Sequence, residues 1–560
     1  MDKNDSIFFP DLKAKSVGGY CGQQFVTFYT ELLDALLTTS RFRWFEWAGM
    51  MNYASSFMAP FWAALEYFSD IETKGSNGNS SGSAVDYVEL LMFEMQLMTK
   101  GAMADMSAMS NYHVRETWEA LAAIRDMLLE KNAEGLIRFS ERQLKLMDMI
   151  VNVYPGAVRE IESEYGFHLD NGGYEKVAET ERFELYQVLP TDKAVEVRQN
   201  GKPVLIVPPY VLGANILALL PGENRSYVHA FANRGIPTYM RLVKNINDNP
   251  AVQIMSGEDD VLDTRYFLEQ LVARHGKPVT LNGYCQGGFI AALGVMSGEL
   301  DGLVDALITC VAPMDGSRSK GLIEYIEHLP RHFRDLGYAL KTLPNGNKVV
   351  DGKIMSMVFK LKSIEKESPI YSFYRDLMMF GNGENKPLKI NKVSAAIKRW
   401  MTYDITDVPV EITRLSHESY TKPLAGDGTL PVKLFGRSLN FKRIKEKGIK
   451  WLICIAKGDE LVEESAALAP LDFVDAEVTV FSKGHTAIAI FWSAPAAECA
   501  LHMKFDKEPC ASDNSRGPVR FQLDLEEART PRLAVKTASS AKRKPSKSGA
   551  GGRRPVRPGN

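Results

Sequence analysis

The sequence predicts an α/β chain built on a mainly parallel sheet with helices on both faces, and three observations carry that prediction. Short apolar runs alternate with amphipathic segments through the middle of the chain. One run ends in a glycine-flanked cysteine and passes at once into a small-residue helix. Two later runs end in Gly-Asp and Gly-His. Runs rich in Val, Ile and Leu without polar alternation suit strands buried on both faces, and the stretches between them are long enough for crossover helices.

Taken in order, Gly201-Lys-Pro-Val-Leu-Ile-Val-Pro-Pro-Tyr210 reads as a central strand and Gly235-Ile-Pro-Thr-Tyr-Met-Arg-Leu-Val243 as the next. Val261 to Arg274 is an amphipathic helix. It leads into Pro278-Val-Thr-Leu-Asn-Gly-Tyr-Cys-Gln-Gly-Gly-Phe-Ile-Ala-Ala-Leu293, a strand, an abrupt turn at Cys285 and a helix. Asp305 to Pro313 is the strand after it. The turn has the G-x-S-x-G pattern of a nucleophile elbow with cysteine in place of serine. Gly283 and Gly287 fit a strained turn where side chains would strike the adjoining strand and helix. A helix N-terminus beside Cys285 favours a thiolate and an incoming oxyanion. Taken alone, the pattern also fits a buried cysteine in a Gly-rich turn or a nucleotide loop.

Its partners follow in chain order. Trp451-Leu-Ile-Cys-Ile-Ala-Lys-Gly-Asp459 is a strand ending in an acid, and Ala476-Glu-Val-Thr-Val-Phe-Ser-Lys-Gly-His485 is a strand ending in histidine. Nucleophile, acid, histidine is the order of α/β-hydrolases, with room for one helix from Glu463 to about Leu471 between the last two. His485 then takes the thiol proton and Asp459 holds the imidazole. A lone Gly-Asp or Gly-His is more often a turn; three strand-end residues of the required types, in order, argue for a site. The backbone N–H groups of Gln286 and Val211 are the candidate oxyanion hole. Asp315 also follows a strand, but Asp459 pairs better with His485. His229, His275, His328, His332 and His417 show no ligand spacing, and no metal or cofactor site is expected.

The expected organisation is a helical N-terminal domain over 1–180, a catalytic domain over 181–510 with a cap insertion at about 314–445, and a basic tail over 511–560. Helical spacing marks Phe25 to Leu37, Tyr87 to Met98, Val114 to Leu129 and Leu136 to Val151, with a flexible linker over Gly75 to Ser83. The uncharged, aromatic and Met-rich stretch from Trp47 to Leu65 fits helices packed on the catalytic domain, contact with a hydrophobic surface, or a membrane span. The insertion carries Ile370-Tyr-Ser-Phe-Tyr-Arg-Asp-Leu-Met-Met-Phe380 and Trp400-Met-Thr-Tyr403. These are either an aromatic lid that keeps water from an acyl-enzyme or the insertion's own core.

From Arg529 onward there are ten Lys or Arg and no acid. That composition predicts disorder and attraction to an anionic partner, or simply a solvated tail. The whole chain of 560 residues has a net charge of −2, which selects no partner. Its six cysteines include no C-x-x-C pair, which argues for a reducing compartment and against a disulfide framework or zinc site. The polar start Met1-Asp-Lys-Asn-Asp-Ser, with no apolar core behind it, suggests a cytoplasmic protein.

These residues resemble a family. Gly283-Tyr-Cys-Gln-Gly-Gly288 is similar to the G-x-C-x-G-G box of polyhydroxyalkanoate (PHA) synthases. Val207-Pro-Pro-Tyr210 resembles their Val-Pro-Pro-Trp segment, and Asn215-Ile-Leu-Ala-Leu-Leu-Pro-Gly-Glu-Asn224 their Tyr-Ile-Leu-Asp-Leu-x-Pro-x-x-Ser region. The resemblance covers roughly 180–500 and includes all three triad positions. It implies a cysteine acyltransferase that polymerises (R)-3-hydroxyacyl-CoA and releases CoA, with Cys285 carrying the acyl group, His485 as base, and Asp459 orienting it or assisting hydroxyl attack. Its implied partners are that thioester, a polyester granule surface and a second copy in a homodimer. The chain departs from the family at Glu460-Leu-Val-Glu463, where members have His-Ile-Val-Pro, and at Trp400-Met-Thr-Tyr-Asp404, where they have Trp-Asn-Ser-Asp. An acid at 460 is expected to raise the His485 pKa. A thioesterase or polyester hydrolase would use the same triad, and a granule scaffold with a relic elbow is the non-enzymatic alternative.

Overall fold

A computed structural model describes residues 41, 44–51, 83–130, 134–328, 336, 339–356, 369–381, 388–481, 484–492 and 494. The central sheet is built from β1 (Tyr174–Glu179), β2 (Phe183–Val188), β3 (Val204–Val207), β4 (Thr238–Val243), β5 (Val279–Tyr284) and β6 (Val304–Cys310). A long insertion follows, carrying β7 (Leu340–Thr342), β8 (Lys348–Val350) and β9 (Val408–Pro409) as a small sheet and β10 (Thr429–Leu434) with β11 (Arg437–Asn440) as a hairpin. The chain then returns to the main sheet as β12 (Lys450–Ala456) and β13 (Glu477–Phe481).

The strand order is β1-β2-β4-β3-β5-β6-β12-β13. β1 and β2 run antiparallel to their neighbours, and every pairing from β4 through β3, β5, β6 and β12 to β13 is parallel. With β3 and β4 exchanged in space and the elbow at the end of β5, this is the α/β-hydrolase fold. Leu205, Leu281, Leu307 and Trp451 share one rung across four adjacent strands and are all buried. Truncating Leu281 to Ala in the middle of that row would cost about 2–5 kcal/mol. The elbow helix, Gln286–Ser297, is buried at every position, so its composition is apolar all round, as a helix enclosed by protein requires.

Three expectations need correction. The first strand lies inside 1–180, so that boundary cuts the β1–β2 hairpin in two; β1 is the sheet's edge strand and half its side chains meet water. Tyr87 to Met98 and Val114 to Leu129 belong to one unbroken helix, Ser83–Glu130. In place of one helix from Glu463 to about Leu471 there is a short helix, Glu464–Ala467, followed by a tight turn, Ala469–Asp472.

The aromatic segment 370–380 of the insertion packs against the N-terminal helices, so it is core, though not the insertion's alone. In helix Pro369–Phe380 the buried Tyr374 ring lies 5.4 Å from that of Tyr112 on Ser83–Glu130, and its hydroxyl donates to Glu46 at 3.1 Å. The described N-terminal helices therefore pack on the insertion. Trp44, Trp47 and Met51 are exposed. The rest of the Trp47–Leu65 stretch, the segments Phe25–Leu37 and Gly75–Gly82, His332, and the basic tail lie outside the described residues. No helix among the described residues is long and apolar enough to cross a membrane.

Candidate active site

The site lies beyond the carboxyl ends of β5, β12 and β13, where ligands bind in α/β sheets. Cys285 is the turn residue between β5 and the elbow helix, at φ 52° and ψ −125°. A non-glycine residue in that region is strained by about 1–3 kcal/mol. Three glycines make room for it. A methyl on Gly283 would come within 2.4 Å of the Gly288 Cα, one on Gly287 within 2.3 Å of the Val207 carbonyl, and one on Gly288 within 2.8 Å of the Ala312 Cβ. The Cys285 N–H is fixed by the Cys310 carbonyl at 2.7 Å, which ties the elbow to the neighbouring strand.

Asp459 follows β12 and is buried. One carboxylate oxygen accepts the Nδ1–H of His485 at 2.7 Å, and the other accepts the backbone N–H groups of Leu461 and Val462 at 3.0 Å each. A carboxylate only accepts, so Nδ1 carries the proton and Nε2 is the basic nitrogen of the neutral ring. Tyr284 donates its hydroxyl to the His485 carbonyl at 2.6 Å, and the two rings meet edge to face at 6.2 Å.

His485 Nε2 is buried and has no hydrogen bond of good geometry. The Cys285 sulfur nevertheless lies close enough to act on it. Burial pushes the imidazolium down, but the Asp459 carboxylate and Cys285 outweigh it and raise His485 well above its usual value. The raise that the sequence attributes to Glu460 thus has Asp459 and Cys285 as its main sources. A loose contact between nucleophile and base is common before substrate is bound.

Asp315 sits apart from His485. It is buried, accepts from Ser317 and pairs with Arg318 at 2.9 Å, which also reaches Asp472. Cys310 and Cys454 are buried thiols that face each other on adjacent strands without forming a disulfide. Among the described residues no group of His, Cys, Asp and Glu could hold a metal.

Val211 and Gln286 also come together: the Val211 N–H donates to the Gln286 side-chain oxygen at 3.4 Å. The loop bearing Val211 is held from several sides. Tyr210 is buried and bonds through its hydroxyl to Asp260, itself paired with the buried Arg241 at 2.7 Å. The Trp400 indole N–H donates to the Leu212 carbonyl at 2.7 Å, and the Thr406 hydroxyl donates to the Tyr210 carbonyl at 3.3 Å. Asp404, the acid of the divergent Trp400 segment, accepts from Tyr165. The insertion thus grips the loop that carries Val211, the candidate oxyanion donor.

The part of the insertion that reaches the elbow is helix Val410–Thr421. Ser416 accepts from the Gln286 side-chain nitrogen at 2.9 Å. Tyr420 donates to the Leu461 carbonyl at 3.3 Å, and burial together with the nearby Cys285 and Asp459 pushes its phenol up. Sequence reasoning missed both. The only signal was their spacing of four, which places them on one face of a helix.

No protein-family profile matches the sequence, and no curated protein matches it. Solved structures do resemble the fold. A carboxylesterase of Nitrososphaera gargenis is 13% identical with a TM-score of 0.32, over 56% of this chain and 92% of its own. An esterase domain from a Rhodothermus marinus protein is 12% identical with a TM-score of 0.27, over 57% and 88%. A Paleococcus ferrophilus monoacylglycerol lipase is 10% identical with a TM-score of 0.30, over 52% and 89%.

Proposed function

We propose that the protein is a cysteine acyltransferase that takes (R)-3-hydroxyacyl-CoA and extends a polyester. The observation that carries the chemistry is the 2.7 Å bond from His485 to Asp459, with the buried Nε2 left open beside Cys285 at the elbow. The resemblance of the elbow and the Val-Pro-Pro-Tyr segment to PHA synthases supports the choice of substrate.

In the first half-reaction His485 Nε2 takes the Cys285 thiol proton, the sulfur attacks the thioester carbon, and the carbonyl π pair moves onto oxygen. The N–H groups of Gln286 and Val211 receive that oxyanion. Its collapse expels the CoA sulfur, which takes the proton from His485, and leaves acyl-Cys285. In the second half-reaction the 3-hydroxyl of another acyl group attacks acyl-Cys285 while His485 Nε2 removes its proton. The acyl C–S bond breaks as the ester forms, and the departing Cys285 sulfur takes back the proton from His485. A thiol suits this exchange because both acyl carriers are thioesters, and no cofactor beyond the substrate's own CoA is needed. Side-chain burial at Asp459 and His485 limits water, the competing nucleophile.

Incubation with (R)-3-hydroxybutyryl-CoA tests this reading. The expected result is CoA release together with a polymer that yields 3-hydroxybutyrate on saponification. CoA release with free 3-hydroxybutyrate and no polymer would make the protein a thioesterase.

A further inference from the structure

We infer that Gln286 stoppers the oxyanion hole it helps to form, and that Ser416 of the cap holds the stopper in place; this rests on the reading of Val211 and Gln286 as the oxyanion donors. Gln286 is the first residue of the elbow helix, so its backbone N–H has no carbonyl partner within that helix. The second donor, Val211 N–H, is taken by the oxygen of the Gln286 carboxamide at 3.4 Å. A carbonyl oxygen in that position is the neutral counterpart of a substrate oxyanion. It accepts from the same donor and excludes the substrate from it.

The carboxamide is not free to leave. Its nitrogen donates to the Ser416 hydroxyl at 2.9 Å, and the side chain is buried between the elbow and helix Val410–Thr421. Ser416 is four residues from Tyr420, whose hydroxyl bonds to the Leu461 carbonyl beside Asp459. The same helix thus touches the oxyanion side and the acid side of the triad. The contact at Val211 is long and the contact at Ser416 is of ordinary length, so the cap holds the carboxamide more firmly than the oxyanion loop does. Movement of the cap helix that draws Ser416 away takes the carboxamide with it and frees Val211 N–H. Acyl binding and cap position are thereby linked through one side chain, and the resting enzyme is protected from attack on adventitious acyl groups.

The test uses butyraldehyde on the full chain. Cys285 sulfur adds to the aldehyde carbon, and the resulting thiohemiacetal oxygen occupies the oxyanion hole. Alkylation by iodoacetamide forms no oxyanion. The site-specific alkylation rate at the Cys285 peptide, read by mass spectrometry, is measured against butyraldehyde concentration, each variant being normalised to its own rate without aldehyde. Gln286→Met keeps length and bulk but removes the acceptor; Ser416→Ala removes only the tether. The aldehyde concentration that halves alkylation is expected to fall about tenfold in Gln286→Met, since one oxyanion donor is worth at least that much, and several-fold in Ser416→Ala. Gln286→Ala serves as a second variant should Gln286→Met misfold. Unchanged or weaker protection in the variants overturns the proposal, as does a parent enzyme in which aldehyde gives no protection and the variants give none either. Butyraldehyde is not a thioester, so failure of the polymerase reading, seen as no CoA release, is a separate result.

Discussion

The Nδ1–H of His485 donates to one oxygen of Asp459 at 2.7 Å, while the backbone N–H groups of Leu461 and Val462 hold the other at 3.0 Å. The acid is therefore fixed independently of the histidine, and Asp459→Asn, which keeps an oxygen for those two N–H groups, should misdirect the ring rather than release the loop. Asp459→Asn is expected to lower acylation by about 10-fold to 100-fold, and His485→Ala by about 1,000-fold or more, because a thiol is partly ionised unaided while a leaving CoA still needs the ring's proton. Stopped-flow CoA release gives both numbers. Asp315→Asn should leave acylation intact, because Asp315 is committed to Arg318; a larger defect there than in Asp459→Asn would contradict the triad.

The elbow glycines give a second prediction. Gly287→Ala would drive a methyl to 2.3 Å from a backbone carbonyl that cannot move aside without shifting β3. Loss of several kcal/mol, on the order of 3 or more, is expected in chemical denaturation. Gly222→Ala, on a turn where a methyl meets nothing within 4 Å, is the control and should stay within about 0.5 kcal/mol.

The raised pKa of His485 sets a pH trend. Its folded value lies above the unfolded one, so its contribution to stability is fully present below the unfolded pKa of about 6.5 and is lost as pH rises through the folded value. The difference in Tm between the parent and His485→Gln should therefore be largest near pH 6 and shrink toward alkaline pH. A difference that grows with pH would reverse the sign and refute the charged imidazole.

Trp400 offers a test of the loop grip. Trp400→Phe keeps an aromatic ring but removes the 2.7 Å bond to the Leu212 carbonyl. A neutral hydrogen bond is worth about 1 kcal/mol, so acylation should slow by about 5-fold. Alkylation of Cys285 by iodoacetamide, which needs no oxyanion hole, should keep its rate.

The elbow and the two strand ends were readable because each has a steric or chemical signature: glycines where a methyl would strike backbone, and an acid and a histidine each just past a β-rich run. β1 escaped because Tyr174-Glu-Lys-Val-Ala-Glu179 is a charged edge strand with no clean alternation. The aromatics of 370–380 look the same in sequence whether they line a site or fill a core, and Tyr112 and Glu46, far away in the chain, decide it. Gln286 attracted notice only for its backbone N–H. That its side chain reaches Val211 and Ser416 depends on how the cap docks, a contact spanning 130 residues that no local pattern encodes.

The central claim is that Cys285 carries the acyl group. Its most direct test is mass spectrometry of the protein quenched in acid after brief mixing with (R)-3-hydroxybutyryl-CoA. The account predicts hydroxybutyryl adducts on the peptide bearing Cys285, absent from Cys285→Ala. An active enzyme whose Cys285 peptide stays unmodified, or a Cys285→Ala variant that still releases CoA at the parent rate, would contradict it.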